Sequence, residues 1–338
     1  MKLMHKIGVA LHSLLAKSPL ASMLYFRVLA RLLPLCGRGF RMRYLNNFRH
    51  VIWPSLALPP QRVRFGKGVT FLIHPHLDED DCAVLGERVW PFESEVYALV
   101  EKLVLEVDTI IEIGANVGAY TAFFATAPGA GQRRLFSFEP SRKAFKRLLE
   151  NLDANGLLNS VEVFCCAVGQ QTGIATFFEP EGHLSNGSLL PEFAGLFTSR
   201  VARHEVLMVG GDVIAGLAGD RGRLLIKMDA EGFEAKILLG LEPLIRRLRP
   251  IIILEVLPLY CAELNALSFL WECGYRRLEI RPEGLVEREQ LIGGKYRDYL
   301  LAVDGIPAVA ALLSPGAVSH RGPGLVSNDR PAGQVPAS

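Results

Sequence analysis

Acidic residues are missing from the start of this chain: no Asp or Glu precedes Asp78 in a sequence of 338 residues. The same stretch carries Lys2, Lys6, Lys17, Arg27, Arg31, Arg38, Arg41, Arg43, Arg49, Arg62, Arg64 and Lys67, so a strongly basic leading segment precedes a mildly acidic remainder. A net charge of +2 over the whole chain gives no reason to expect a nucleic-acid partner. Zinc-type cysteine spacing is also missing. Cys36, Cys82, Cys165, Cys166, Cys261 and Cys273 form no C-x-x-C pair and no Cys/His pattern, so reduced thiols in a cytoplasmic protein are expected. Adjacent Cys165 and Cys166 would point to opposite faces of a strand and are not expected to pair. No apolar run reaches the ~18 residues of a spanning helix: those at 7–16 and 19–26 are broken by Lys17, Arg27 and Arg31. Ala16-Lys17-Ser18 is a poor signal-peptide cleavage site.

Half of the residues are hydrophobic, enough for a substantial core. Four regions follow. Residues 1–60 read as a basic, apolar helical extension, ending at Pro59-Pro60. Two readings of it stand: an anchor lying on an anionic membrane surface through residues 1–50, or a cap packed on the main fold. Residues 61–106 read as an entry segment, with a short strand at 69–74 and a helix from Phe92 to Lys102 that Ser94 can cap. Residues 107–305 alternate strands with helices. Residues 314–338, rich in Gly, Pro, Ser and Ala, read as a disordered tail.

Within 107–305, strands are expected at 107–113, 134–138, 161–165, 174–178, 206–209, 224–228 and 250–257. Helices fall at 117–125, 140–155, from Phe233 into Leu241, and at 262–273. The pattern predicts a doubly wound α/β fold with a mostly parallel sheet covered on both faces. Two late strands, 276–280 and 299–303, have no helical pattern between them and suit an antiparallel hairpin at one edge.

Glu112-Ile-Gly-Ala-Asn-Val-Gly118 lies where the first of these strands turns into a helix. Gly114 and Gly118 permit close backbone approach to a ligand, and a helix N-terminus offers free N–H groups. Glu139 follows 21 residues after Gly118, at the end of the next strand, where an acid accepts hydrogen bonds from ribose hydroxyls. A pyrophosphate-binding loop needs G-x-G-x-x-G, but Asn116 holds the place of the second glycine. A carboxylate at Glu112 and an amide at Asn116 suit a zwitterionic methionine tail better, which points to S-adenosyl-L-methionine and away from a nicotinamide dehydrogenase.

The run from Val107 through Thr121 resembles the first motif of FkbM-type S-adenosylmethionine-dependent methyltransferases. The resemblance continues through Phe138-Glu-Pro140, Asn151–Gly156, Ala167-Val-Gly169 and, above all, Ile226-Lys-Met-Asp-Ala-Glu-Gly-Phe-Glu234, with Phe92-Glu-Ser-Glu95 upstream. The family more often has Asp where Glu112 stands. The resemblance covers about half the chain, leaving out the N-terminal segment and the tail. It implies a seven-stranded class I, Rossmann-like methyltransferase sheet and, usually, O-methylation of sugars or other small hydroxylated metabolites. By it, Glu112, Gly114, Ala115, Asn116 and Gly118 would hold the methionine part, Glu139 the ribose, and Ala167 would lie near the adenine. The implied partner is a small-molecule, glycan or lipid-linked acceptor.

Lys227 and Asp229, two apart at the carboxyl end of a strand, share a face where open α/β sheets bind ligands. Asp229 is the candidate base, Lys227 a charge-holding or substrate-binding group, and Glu231 a positioning group; an ion-paired cluster closing the sheet end is the plainer alternative. His74-Pro-His76 with Asp78, Glu79, Asp80 and Asp81 contains metal-ligand types, yet reads as a solvated acidic loop, so no metal is expected. Ser185-Asn-Gly-Ser188 is either a loop over the substrate or an ordinary turn. A non-catalytic cofactor-binding or membrane-associated scaffold is the rival from another class.

Overall fold

The structure, a computed structural model, describes residues 93–313 without interruption, residues 60–65 and 69–74, and scattered positions before residue 93. The expected helical extension (but for scattered positions), His76, Asp78, Glu79, Asp80, Cys82 and the 314–338 tail lie outside the described residues. Two compact units are present: Met1–Phe92 with Pro180–Ser185, and Glu93–Glu179 with Asn186–Ser338. Among the described residues, no helix is long and apolar enough to cross a membrane.

In the first unit, β1 (Gln61–Phe65) and β2 (Val69–Ile73) form an antiparallel hairpin. Val69, Phe71 and Ile73 alternate inward, as period-two patterning requires. The His74 N–H donates to Asp81 Oδ2 at 2.5 Å, so this part of the acidic loop is tied to the hairpin's end.

The second unit opens with α1 (Ser94–Leu103), whose Val96, Leu99, Val100 and Leu103 are buried. Ser94 begins this helix rather than capping it; Glu93 occupies the cap position in the left-handed region, φ 51°. Then follow β3 (Thr109–Ile113), α2 (Ala119–Thr126), β4 (Arg134–Phe138), α3 (Arg142–Ala154), β5 (Glu162–Phe164), β6 (Ala167–Val168) and β7 (Gly173–Pro180). Next come α4 (Pro191–Ala194), β8 (Val201–Val209), α5 (Gly211–Ala218), β9 (Leu224–Met228), α6 (Glu234–Leu248) and β10 (Ile251–Glu255). The series ends with α7 (Cys261–Asn265), α8 (Ser268–Glu272), β11 (Arg276–Arg281), β12 (Gly284–Arg288), β13 (Asp298–Ala302) and α9 (Pro307–Leu313).

The main sheet has the order β12-β11-β13-β10-β9-β3-β4-β5. Strands β10, β9, β3, β4 and β5 are parallel, and β13, β11 and β12 are antiparallel additions. All five residues of β3 and of β9 are buried, the signature of strands covered on both faces. The doubly wound expectation holds, with three corrections. The sheet has eight strands, because β12 forms an edge its sequence hardly advertises. That edge is held by ladder pairing and by Arg288–Glu279 and Arg276–Glu287 ion pairs. The two late strands pair antiparallel, yet β13 lies inside, between β10 and β11. Strands β7 and β8, which the linear pattern runs into the same series, instead form a separate three-stranded sheet with β6. Their mixed burial fits a sheet with one wet face, unlike the fully buried central strands.

Helix boundaries also differ. Helix α6 runs past Pro243 to Leu248 because Leu244 and Ile245 continue its buried stripe. The helix expected at 262–273 is two short ones, broken at Ala266-Leu267. Cys165 is exposed and Cys166 buried, and both lie in the bend between β5 and β6 rather than in a strand.

Candidate active site

The glycine loop leaves β3 in three left-handed steps: Gly114 (φ 81°), Asn116 (φ 49°) and Gly118 (φ 86°). Asn is the side-chain-bearing residue that best tolerates this region, which accounts for its standing where a phosphate loop has glycine. The Gly114 and Ala115 N–H groups both donate to the Phe138 carbonyl at 2.9 Å, binding the loop to the end of β4. A side chain at Gly114 would place Cβ 1.8 Å from the Asp229 carbonyl oxygen. The glycine is required by the exit of β9, so the two motifs read separately in the sequence meet backbone to backbone.

Glu139 caps this arrangement. Its Oε2 accepts from the Asn116 N–H and its Oε1 from the Ser141 N–H, both at 2.7 Å. Burial raises its carboxyl to about 7 against those two bonds, with Glu179 and Glu112 adding to the rise. Ser141 caps α3 and donates to Glu179 Oε2 at 2.7 Å, and Lys143 pairs with the same carboxylate. Asn116 Oδ1 is buried with no hydrogen-bond partner among the described residues, an acceptor oriented within the loop for a donor group. An orphaned amide oxygen, a left-handed glycine loop and an acid at the strand end fit the amino-acid and ribose parts of S-adenosylmethionine.

Glu112 is placed by register between Ser137 on β4 and Lys227 on β9. It is 1% exposed, and its Oε2 accepts from Thr121 Oγ1 at 2.6 Å and Ser137 Oγ at 2.7 Å. Burial raises its carboxyl, opposed by Thr121, Lys227 and Ser137. Ala115 is buried beside Gly114, and Ala167 packs in the small sheet against Phe177 and Val206. The Gly118 Cα faces Leu148 of α3.

Around Asp229 the contacts are charged. The Asp229 N–H donates to the Ile113 carbonyl at 2.9 Å, and its Oδ2 lies 3.1 Å from Lys227 Nζ. Lys227 is buried with its ammonium 4.4 Å above the Tyr120 ring. Tyr120 stacks on Tyr97 at 4.2 Å and donates its hydroxyl to Glu93 Oε2 at 2.6 Å. Burial works against the ammonium's charge, but Asp229, Glu93 and Glu112 outweigh it and hold Lys227 above the usual lysine range.

One carboxylate oxygen each from Asp229, Glu231 and Glu255 lies within 4.8 Å of the others. Arg297 Nε sits 3.2 Å from Glu255, which pairs in register with Asp298. Burial, then Asp229, raise Glu255 to about 8, with Arg297 opposing. The same two causes push Glu231 well above the carboxylate range, and burial does so for Asp298. Glu234 accepts from the Ala230 N–H at 2.7 Å and is raised to about 7, chiefly by burial. Glu234 and Glu255 thus change protonation near neutral pH, where a general base works best.

The three residues read as catalytic are therefore brought together, and the glycine loop and Glu139 are brought beside them. Sequence reading placed Glu93 and Tyr120 inside family-like motifs without giving them a role, and missed Glu255, Arg297 and Asp298. Glu255 was findable: a lone acid ending an apolar strand is the signal that marked Glu139. Glu93 and Asp298 carry no such mark, because their place depends on α1 and on an inserted antiparallel strand.

The family model for the methyltransferase FkbM domain matches residues 112–277. The chain is 26% identical over 161 residues to the hexuronic acid methyltransferase AglP of Haloferax volcanii, covering 46% of this chain and 61% of that protein. It thus spans about three-fifths of that curated relative. Among solved structures, methyltransferase FkbM from Methylobacillus flagellatus is 18% identical, with 66% of this chain and 53% of that chain covered and a TM-score of 0.37. A SAM-dependent O-methyltransferase from Thermotoga maritima is 15% identical, with 63% and 66% covered and a TM-score of 0.33. Residues 112–277 are thus similar to the methyltransferase FkbM domain, for which S-adenosylmethionine is the methyl donor.

Proposed function

We propose that the enzyme methylates a hydroxyl oxygen of a sugar or other small hydroxylated acceptor. The observation that carries this reading is the backbone contact between Gly114 and Asp229, which sets proton-accepting carboxylates against the cofactor loop. Bound S-adenosylmethionine would supply an electrophilic methyl group on a positive sulfur. Gly114, Ala115, Asn116 and Gly118 would cradle its methionine part, with Glu112 bracing the loop from inside. Glu139 would take the ribose, and the β6 backbone at Ala167 would border the adenine.

Asp229, 28% exposed at its side chain, would orient the acceptor hydroxyl in line with the methyl carbon. Lys227 fixes that carboxylate. Transfer of that methyl group to the hydroxyl oxygen would return the C–S electron pair to sulfur. The hydroxyl proton passes to the Asp229/Glu231/Glu255 group. The hexuronic acid specificity named for the curated relative supports a sugar-type acceptor. A lipid-linked glycan would agree with a basic N-terminal segment resting on an anionic surface.

The test is labelled-methyl transfer to neutral sugars, uronates and lipid-linked glycans, with product linkage read by mass spectrometry. Glu139→Ala should weaken donor binding about 10- to 100-fold in calorimetry. Asp229→Asn should bind donor normally and lose about 100- to 10,000-fold in turnover. A product methylated only at nitrogen or carbon, or an Asp229→Asn enzyme with full turnover, would overturn the reading.

A further inference from the structure

Ser188 lies 43 residues from Glu231 in sequence, yet its hydroxyl donates to the Glu231 carbonyl at 2.8 Å. The same oxygen accepts from the Leu190 N–H at 3.0 Å, and Ser188 is 1% exposed. Its backbone is fixed by reciprocal hydrogen bonds with Phe178 at 2.8 and 3.0 Å. The preceding Gly187 leaves no room for a Cβ, which would fall 2.4 Å from the Phe177 ring.

What this clamp holds is strained. Glu231 sits in the left-handed region at φ 52°, a conformation that costs a side-chain-bearing residue about 1 kcal/mol or more. Gly232 follows at φ 96°, with the Tyr260 ring 2.5 Å from where a Cβ would stand. Glu231 is thus held at a corner its own sequence does not favour. The corner aims its carboxyl at Asp229 and Glu255.

We infer that Ser188 is a positioning residue for methyl transfer, locking the Glu231 corner so that the Glu231 carboxyl, beside Asp229 and Glu255, receives the acceptor's proton. The inference rests on the O-methylation reading and reassigns the proton's destination within it, leaving Asp229 to orient the hydroxyl. The hydroxyl's O–H bond breaks as its C–O bond forms, and the proton ends on a Glu231 oxygen. The groups facing that carboxyl are Asp229 on its own loop, Glu234 of α6, Glu255 of β10 and Arg297 before β13. Released from the clamp, Glu231 would turn toward water, and its proton affinity would fall.

Two readouts test this, one of them independent of turnover. In carbon-13 NMR, the Glu231 carboxyl should titrate at lower pH in Ser188→Ala than in the wild type, and at the wild-type pH in Ser188→Thr. In turnover, Ser188→Ala should lose about tenfold in kcat with donor affinity unchanged. Its acidic limb of kcat should shift to lower pH, and Ser188→Thr should restore both. If Ser188→Ala does not fold, Glu231→Gln decides, since it must lose turnover and the acidic limb together. An unmoved Glu231 titration, or a Glu231→Gln enzyme with wild-type turnover and pH profile, overturns the inference. A wild type that methylates no hydroxyl, with the NMR shift present, overturns the O-methylation reading and leaves the clamp standing.

Discussion

Around Gly114 the chain meets its neighbours through backbone, whereas around Asp229 it meets them through charge. The side proposed for the cofactor is built from left-handed loop residues, two N–H groups on the Phe138 carbonyl, and a single acid, Glu139, tied to two more N–H groups. The side proposed for the acceptor gathers Glu93, Asp229, Glu231, Glu255 and Asp298 about Lys227 and Arg297. Backbone geometry tolerates no substitution at Gly114 and leaves that side with one titrating acid, Glu139, raised to about 7. Crowded carboxyls tolerate conservative substitution but make the site a function of pH. The two sides should therefore fail in different ways.

The largest effect should come from Gly114→Ala. The new methyl group would overlap the Asp229 carbonyl, and φ 81° is itself unfavourable for alanine. Nothing flexible can yield, so the β3 and β9 exits must separate. A loss of about 3–5 kcal/mol or a failure to fold is expected, read by denaturant titration. An alanine variant within ~1 kcal/mol of the wild type would show that this contact is soft and that the two halves are not joined there.

The acceptor side should break by pH. A carboxyl whose folded value is raised binds more protons in the native state than in the unfolded chain. Its stabilisation is therefore full below the unfolded value of 4.5 and is lost as pH rises through the folded value. Glu139 and Glu234 at about 7 and Glu255 at about 8 place that loss between the unfolded value of 4.5 and about pH 8. Without ligand, the melting temperature should fall by roughly 5 °C between about pH 5.5 and 8.5. Glu255→Gln should flatten that slope more than Glu139→Gln, because Glu255 has both the higher value and more carboxylate neighbours. A flat profile in the wild type would mean that these carboxyls are solvated and the comparison of the two sides fails.

This division also decides what the sequence could reveal. Local chemistry marks the cofactor side: a strand, a glycine turn, a helix start and an acid one strand later all lie within residues 109–141. The parallel core was equally legible, since β3, β9 and β10 are apolar runs broken only at Thr109, Glu112, Lys227 and Glu255. The acceptor side draws on α1, α2, β9, β10 and the segment entering β13, and only Lys227, Asp229 and Glu231 lie in one run. Strand β13 inserts between β10 and β11, a long-range choice no local period encodes, and with it come Arg297 and Asp298. Strands β7 and β8 carry a strand pattern, but the pattern does not say which sheet they join. Ser188 reads as part of a turn because its partner, the Glu231 carbonyl, is 43 residues away.

Glu112 tests the border between the two sides, and its effect should be the smallest. By sequence it belongs to the cofactor loop; by register it stands between Ser137 and Lys227, inside the sheet. Its Oε2 already accepts from Thr121 and Ser137, and Lys227 lies close enough to oppose the rise that burial imposes. A carboxylate so occupied acts on the cofactor through the loop it braces. Glu112→Gln should cost about 1–2 kcal/mol in stability, the worth of one weakened buried hydrogen-bond pair, and leave donor affinity within about threefold. Calorimetry and thermal denaturation on the same preparation separate the two quantities. A tenfold weaker donor with unchanged stability would put Glu112 in contact with the methionine part and give the cofactor side a charged contact of its own.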